Sequence, residues 1–195
     1  MATPDPLAGR NVGAVLFDCD GTLVDTMPVH REVWAQILAR YDFVITDEWW
    51  EEWANVPLLP MVREVIPGAS PQFAEELNLE ATDMFMELLH RIEPIEPVIE
   101  LARSCHGRVP MAVVTGGYRA VVIPCLDAAG ITHLFDHIVT ADEVIHSKPA
   151  PDLYVLAMPR LGVEPADCLV FEDSEVGMQS AQGAGAGEIV DIRLL

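Results

Sequence analysis

AVLFDCDGTLVDT, residues 14–26, opens as an apolar run of strand length and stops abruptly at Asp18, Cys19, Asp20, Gly21 and Thr22. The run 13–17 is continuously hydrophobic, as expected of a strand buried on both faces. In an open parallel sheet, ligands bind beyond the carboxyl ends of the strands. Two carboxylates at such an end, one residue apart, repel each other and are costly to desolvate unless a cation or protons compensate. The plain alternative is a turn that happens to be acidic.

Further along the chain, the run 169–171 also ends in two acids, Glu172 and Asp173, within LVFEDS. If both strands lie centrally in one sheet, four carboxylates converge. Hard oxygen ligands with positions left for water and phosphate suit Mg2+. A third run, 111–115, leads into VVTGGY, where Thr115, Gly116 and Gly117 offer a hydroxyl and unobstructed backbone N–H groups to a phosphate oxygen. Alone, a Gly-Gly pair after a strand reads as a turn. The segment SKPAPD, residues 147–152, carries Lys148, the only lysine in the chain; the other ten cationic residues are arginines. A lone lysine in such a chain points to a need for a compact ammonium rather than a planar fork. Pro149 and Pro151 stiffen the segment that delivers it. Together these parts describe phosphoryl transfer: an Asp that attacks phosphorus, a carboxylate that moves protons, and a metal and a lysine that neutralise the phosphate.

Two textures organise the chain. Strand-length runs at 13–17, 111–115, 138–140, 169–171 and 189–192 alternate, in the later half, with helix-length stretches such as Asp152–Arg160 and 174–181, predicting a parallel sheet covered on both faces. Residues 26 to about 93 contain no such run. There Val29, Val33, Trp34, Ile37, Leu38 and Tyr41 recur as on one helix face, and Met84, Phe85, Leu88, Leu89 and Ile92 repeat the pattern. All four tryptophans fall in this segment, and its Trp and Met stripes are expected to be its own packing. Trp49 and Trp50 are adjacent, so one helix does not bury both equally.

The 195 residues carry 31 acidic and 11 basic side chains, a net charge of −20, which argues against nucleic acid or an anionic membrane as partner. A small phosphorylated ligand is compatible with that charge if a metal or local cations offset it. No apolar run reaches the length of a bilayer span, and no secretory signal is visible at MATPDPLAGRN. Cys19, Cys105, Cys125 and Cys168 are scattered, which reads as reduced thiols of a cytoplasmic protein, expected to be a monomer.

DCDGTLVDT, the VVTGG threonine, the KPAPD lysine and the FEDS acids together resemble the four motifs of haloacid dehalogenase-superfamily phosphatases, in the order that superfamily uses them. The helical insertion after the first motif is similar to the cap of the β-phosphoglucomutase-like branch. RVPMAVVTGG, HSKPAPD and VDIRLL look like bacterial fructose-1-phosphate phosphatases that also act on other sugar phosphates. The resemblance implies an α/β chain with a Rossmann-like parallel-sheet catalytic core at 1–25 and 94–195 and an all-helical cap at 26–93. It implies Asp18 as nucleophile and Asp20 as general acid/base. Mg2+ would be held by Asp18, the Asp20 backbone carbonyl and Asp173, with Glu172 beside them, and the phosphate by Thr115, Gly116 and Lys148. His30 matches a histidine usual in the branch; its plain alternative is a helix-surface imidazole. The cap's usual Gly-Ser-like turn would fall near 55–59, which here reads NVPLL without the glycine. Asn55 and Leu58 are therefore the expected substrate-reading residues, and the substrate loop is altered. Ser147 stands where many relatives have Gly.

Two other functions share these features. A β-phosphoglucomutase-type mutase needs Asp18 and Asp20 as well, but also a second cationic site in the cap, whose cations are only Arg31, Arg40, Arg63 and Arg91. A phosphoacceptor signalling domain would place its acceptor Asp on a middle strand, before the threonine strand, and would lack the insertion. The sequence favours a Mg2+-dependent phosphatase of small sugar phosphates.

Overall fold

A computed structural model describes residues 5–54 and 56–195. The chain divides into two compact units, the described residues up to Asp25 with Ile92–Leu195, and Thr26–Arg91. In chain order the elements are β1 (Ala14–Phe17), β2 (Val24–Asp25), α1 (Met27–Ala39), α2 (Asp47–Trp53), α3 (Leu58–Val65), α4 (Pro71–Glu87), β3 (Glu93–Pro94), α5 (Glu96–Cys105), β4 (Met111–Val114), α6 (Arg119–Ala128), β5 (His137–Val139), α7 (Asp152–Arg160), β6 (Cys168–Glu172), α8 (Glu175–Gly183) and β7 (Glu188–Asp191).

The first unit is α/β. Its sheet has the order β5-β4-β1-β6-β7, with every neighbouring pair parallel. Residues 14–17 and 111–114 are wholly buried, because parallel strands joined by helical crossovers are covered on both faces. Ala14, Leu16, Ala112, Val114 and Val170 pack with Leu153, Tyr154, Ala157 and Met158 of α7 and Ala181 of α8. On β1, Phe17 stacks on Phe171 at 5.0 Å and meets Phe135 edge-on at 5.8 Å. The alternation of Leu16 and Phe17 thus feeds two separate apolar layers from one strand.

Register decides what meets at the sheet's carboxyl end. Phe17 is paired with Val113 on one side and Phe171 on the other, and the Asp18 amide extends the ladder to the Phe171 carbonyl at 3.0 Å. Asp18 therefore emerges level with Glu172 and Val114, with Thr115 and Asp173 one residue beyond. Strand order reverses beside β1, since β4 lies to one side and β6 to the other, and that reversal opens the crevice. At the opposite, amino end, a cavity of about 440 Å³ opens by β4 and β5, and another of about 520 Å³ runs along the edge strand β5 from Phe135 to Glu143. Their arginines are already engaged: Arg108 with Asp5, Arg160 with Glu143 and Arg119 with the Ile138 carbonyl. β2 and β3 pair antiparallel, so the chain leaves and re-enters this unit through adjacent strands.

The second unit is helical throughout, as the absence of strand-like runs predicts. Val29, Val33, Trp34, Ile37 and Leu38 form the buried stripe of α1, and Ala74, Leu77, Ala81 and Phe85 that of α4. Arg40 forks onto Glu80 with two bonds of 2.8 Å, tying the end of α1 to α4. Ser70 caps α4 through the Phe73 amide at 3.1 Å. The expectation that the tryptophans serve this unit's own packing is met by Trp34, buried in α1, and by Trp49 and Trp53, whose rings pack together. None of the residues of α2 is buried, and Trp49 stacks on Trp53 and meets Phe43 edge-on. Seven residues bearing four acids cannot turn inward as a whole. Among the described residues no helix is long and apolar enough to cross a membrane.

Candidate active site

Beyond β1 the chain folds tightly over one carbonyl: the amides of Thr22, Leu23 and Val24 all donate to Cys19 O. Gly21 adopts φ +82°, and a Cβ there would run into the Asp173 carboxylate, so both backbone conformation and close approach require glycine. The turn leaves Asp18 buried, 6% exposed, directly beneath the crevice. Cys19 points inward, and burial, followed by Asp20 and Asp18, raises its thiol far above the ordinary range. It stays a neutral packing group, not a nucleophile.

Lys148 reaches this point from the loop before α7. Its Nζ donates to Asp18 Oδ1 at 2.7 Å and to Glu172 Oε1. Glu172 is fully buried and both of its oxygens accept further bonds: Tyr154 OH donates to Oε1 at 2.8 Å, and Ser174 Oγ to Oε2 at 3.2 Å. Gly177 leaves the room for it, since a Cβ there would collide with the Glu172 carboxyl. Burial works against the Lys148 charge, yet the neighbouring Asp18 and Glu172 outweigh it and hold the ammonium well above the ordinary lysine range. Burial and then Asp18 push the Glu172 carboxyl up, while Lys148 and Tyr154 pull it back. The Tyr154 phenol, raised mainly by burial, remains a donor.

Asp173 completes the acidic group. Asp18, Glu172 and Asp173 each offer a carboxylate oxygen, and these oxygens lie within 4.8 Å of one another. Burial, then the charges of Asp18 and Glu172, raise the Asp173 carboxyl to about 7. Three hard anionic donors that close, two of them buried, fit a hard divalent cation. Asp20 is outside this carboxylate group; its Oδ2 lies 3.5 Å from Thr115 Oγ1. Thr115 is buried at the end of β4, and its Oγ1 accepts from the Gly117 amide at 3.0 Å. That bond corrects one expectation: the Gly117 N–H is occupied by the threonine, leaving Gly116 as the exposed residue of the pair.

Thus Asp18, Asp20, Thr115, Gly116, Lys148, Glu172 and Asp173 all belong to the first unit and gather at one end of its sheet. His30 and Leu58 belong to the helical unit, and Asn55 lies outside the described residues. His30 is no surface imidazole: it is half-buried, its ring stacked on Phe85 at 4.4 Å, and burial lowers its pKa to about 4, so it is neutral at pH 7. Leu58 opens α3. Sequence reasoning missed Tyr154 and Ser174. Tyr154 reads as a core aromatic of a helix. Ser174, just past the FEDS acids, does carry a signal in the sequence, as it caps α8 through the Gly177 amide.

The sequence pattern of the haloacid dehalogenase-like hydrolases matches residues 12–185. Fructose-1-phosphate phosphatase YqaB of Escherichia coli (strain K12) is 38% identical over 183 residues, covering 93% of this chain and 96% of that protein. A phosphorylated carbohydrates phosphatase of Thermotoga maritima is 30% identical over 184 residues, covering 92% and 84%. Among solved structures, CbbY of Rhodobacter sphaeroides in complex with phosphate superposes with a TM-score of 0.76 at 25% identity, covering 92% of this chain and 94% of that one. The match spans both units and the positions of every motif of the acidic crevice, and the chain belongs to the haloacid dehalogenase-like hydrolases.

Proposed function

We propose that the protein is a Mg2+-dependent phosphatase of small sugar phosphates that works through an aspartyl phosphate on Asp18. The observation that carries this reading is the buried Lys148 ammonium bonded at once to Asp18 and Glu172 beside the Asp173 carboxyl. An Asp18 oxygen attacks phosphorus as the ester P–O bond breaks, and Asp20 gives its proton to the departing alkoxide. Asp20 then takes a proton from a water that attacks the same phosphorus from the open side, and the bond to Asp18 breaks, releasing orthophosphate and restoring both carboxyls. Lys148, Thr115 and the Gly116 amide bind the phosphoryl oxygens throughout. Asp18, Asp173 and the Asp20 carbonyl would hold Mg2+, with Glu172 supporting; when bound, the ion screens the carboxylates from the incoming dianion and stabilises charge on the phosphoryl oxygens.

The sugar-phosphate class is supported by the relatives from E. coli and T. maritima, named for fructose 1-phosphate and for phosphorylated carbohydrates. Asn55 and Leu58 are read as selectivity residues, because the NVPLL segment departs from the turn that relatives keep there. The four free, buried cysteines support a reducing, cytoplasmic setting, and we take the working form as a monomer. The test is phosphate release over a panel of sugar phosphates and p-nitrophenyl phosphate, with Mg2+ and with chelator, alongside a coupled assay for isomerised sugar. Metal-dependent orthophosphate release is expected; isomerised product instead would assign a mutase, and release undiminished by chelator would remove the metal. Leu58→Ala should change the ranking of sugars while leaving p-nitrophenyl phosphate turnover close to wild type.

A further inference from the structure

Lys148 is held from three sides, and only two of them are carboxylates. Its ammonium lies 5.3 Å from the ring centroid of Tyr154, a fully buried residue of α7. The hydroxyl of the same tyrosine donates to Glu172 Oε1, the oxygen that also accepts from Lys148. An ammonium between two carboxylates rests where their pulls balance. A second donor on Glu172 Oε1 takes up part of that oxygen's accepting capacity and fixes the direction of the carboxylate, which Ser174 steadies from the other oxygen. Phenylalanine would fill the same apolar layer beside Leu16 and Val114, so packing alone does not call for a hydroxyl there. A buried hydroxyl is costly unless it makes a bond, and this one makes its bond to the partner of the phosphate-binding lysine.

We propose that Tyr154 is a positioning residue for the phosphate site: its hydroxyl orients Glu172, and with its ring face it keeps the Lys148 ammonium at Asp18, where a phosphoryl group binds. Without the hydroxyl, Glu172 Oε1 has Lys148 as its one strong donor, and the ammonium is drawn off the phosphate toward Glu172. The proposal rests on the phosphatase reading for the identity of the anion that Lys148 receives, and it predicts an effect on anion binding that needs no turnover.

The experiment compares wild type, Tyr154→Phe and Tyr154→Leu in three measurements: orthophosphate affinity by calorimetry with Mg2+, kcat/KM for two sugar phosphates and p-nitrophenyl phosphate, and Tm. Tyr154→Phe should weaken orthophosphate roughly tenfold, the size of one hydrogen bond to a charged group, and lower kcat/KM equally for all three esters, with Tm close to wild type. Tyr154→Leu, which also removes the ring, should weaken orthophosphate further. Unchanged orthophosphate affinity in Tyr154→Phe overturns the proposal, whether kcat/KM is unaffected, falls unequally among esters, or falls only with a collapsed Tm, since that last pattern is a packing role. If wild type hydrolyses no ester, the phosphatase reading fails and the orthophosphate comparison still decides Tyr154. If wild type binds no orthophosphate, the Lys148 assignment and this proposal fall together.

Discussion

The two ends of the one parallel sheet use charge in opposite ways. At the carboxyl end, Lys148 and Asp18 have side chains 9% exposed, and Glu172 is at 0%. At the amino end, Arg108 and Asp5 pair at 48% and 42%. Both ends hold ion pairs of similar length, but only one removes them from water. Exposed pairs contribute little and are screened, whereas a buried pair leaves an uncompensated charge when one partner is lost. The acidic crevice is therefore held together by what it would cost to take apart, and each member is sensitive to its neighbours. The amino end is a solvated rim around an open cavity.

Asp18→Asn should disturb this contrast more than any other change. An amide is nearly isosteric but does not attack phosphorus, so turnover is expected to fall by on the order of 10⁴-fold or more, with a folded protein by circular dichroism; phosphate release within tenfold of wild type would remove Asp18 from the nucleophile role. Lys148→Arg should cost about a hundredfold in kcat/KM, because a planar fork does not fit where a point charge bridges Asp18 and Glu172. Full activity in that variant would mean that the lone lysine carries no special requirement. Gly177→Ala forces the Glu172 carboxyl to move and should destabilise the fold by about 2–3 kcal/mol, read as a lower midpoint in denaturant; a silent substitution would show that Glu172 has slack.

The pH dependence probes the same contrast without a mutation. Asp173 is raised in the folded state from its ordinary 3.8 to about 7, and Glu172 is raised as well. A carboxyl raised by folding keeps its proton in the native state while the unfolded chain has already lost it, so stability falls as pH rises from about 4 to 7 and stays low above. Lys148 is raised too, but its stabilisation is lost only above its ordinary 10.5, outside this window. Metal-free protein should therefore melt at a lower temperature at pH 8 than at pH 5.5, and Mg2+ should raise Tm more at pH 8, where the carboxylates are ionised. A Mg2+ effect that is equal at both pH values, or larger at pH 5.5, would contradict the assignment of Asp173 to the ion. The smallest effect belongs to the other end of the sheet: Arg108→Ala, which removes the exposed pair with Asp5, should shift Tm by no more than about 2 °C and leave kcat/KM unchanged, and a large loss there would show that the rim is not simply solvated.

Much of this was legible in the chain. The strand runs fall within a residue or two of β1 and β4–β7; β1, β4 and β6 are legible because parallel strands buried on both faces are nearly continuously apolar, and the edge strands β5 and β7 through the short Ile-Val pairs at their centres. The stretch expected to be helical at Asp152–Arg160 is α7 to the residue, in spite of Pro159 within it. Asp18, Glu172 and Asp173 announce themselves as acids stopping apolar runs. Tyr154 was hidden for the same reason that made α7 readable: on one helix face an aromatic reads as core, and its hydroxyl's partner lies eighteen residues on in another element. His30, with a surface imidazole as its plain alternative, is desolvated by Phe85, more than fifty residues away in sequence.

The order of residues along the chain was enough to settle which residue types end which strands, the alternation that makes a parallel sheet, and the helical texture read over 26–93, although the helical unit itself closes at Arg91 and Glu93–Pro94 is already a strand. These depend on local periodicity and on the side chains that terminate each apolar run. It took the packed molecule to settle that β1 lies between β4 and β6, that Phe17 registers with both Val113 and Phe171, and hence that Asp18 emerges level with Glu172, with Thr115 one residue beyond them. Packing also settled that Glu172 turns inward to Lys148, Tyr154 and Ser174 while Asp173, its neighbour, stays partly open. The reason is that Glu172 is the last residue of β6 and Asp173 the first of the bend into α8: the strand sets the direction of one side chain only, and the packing of α7 and α8 fixes which of the two acids is dry.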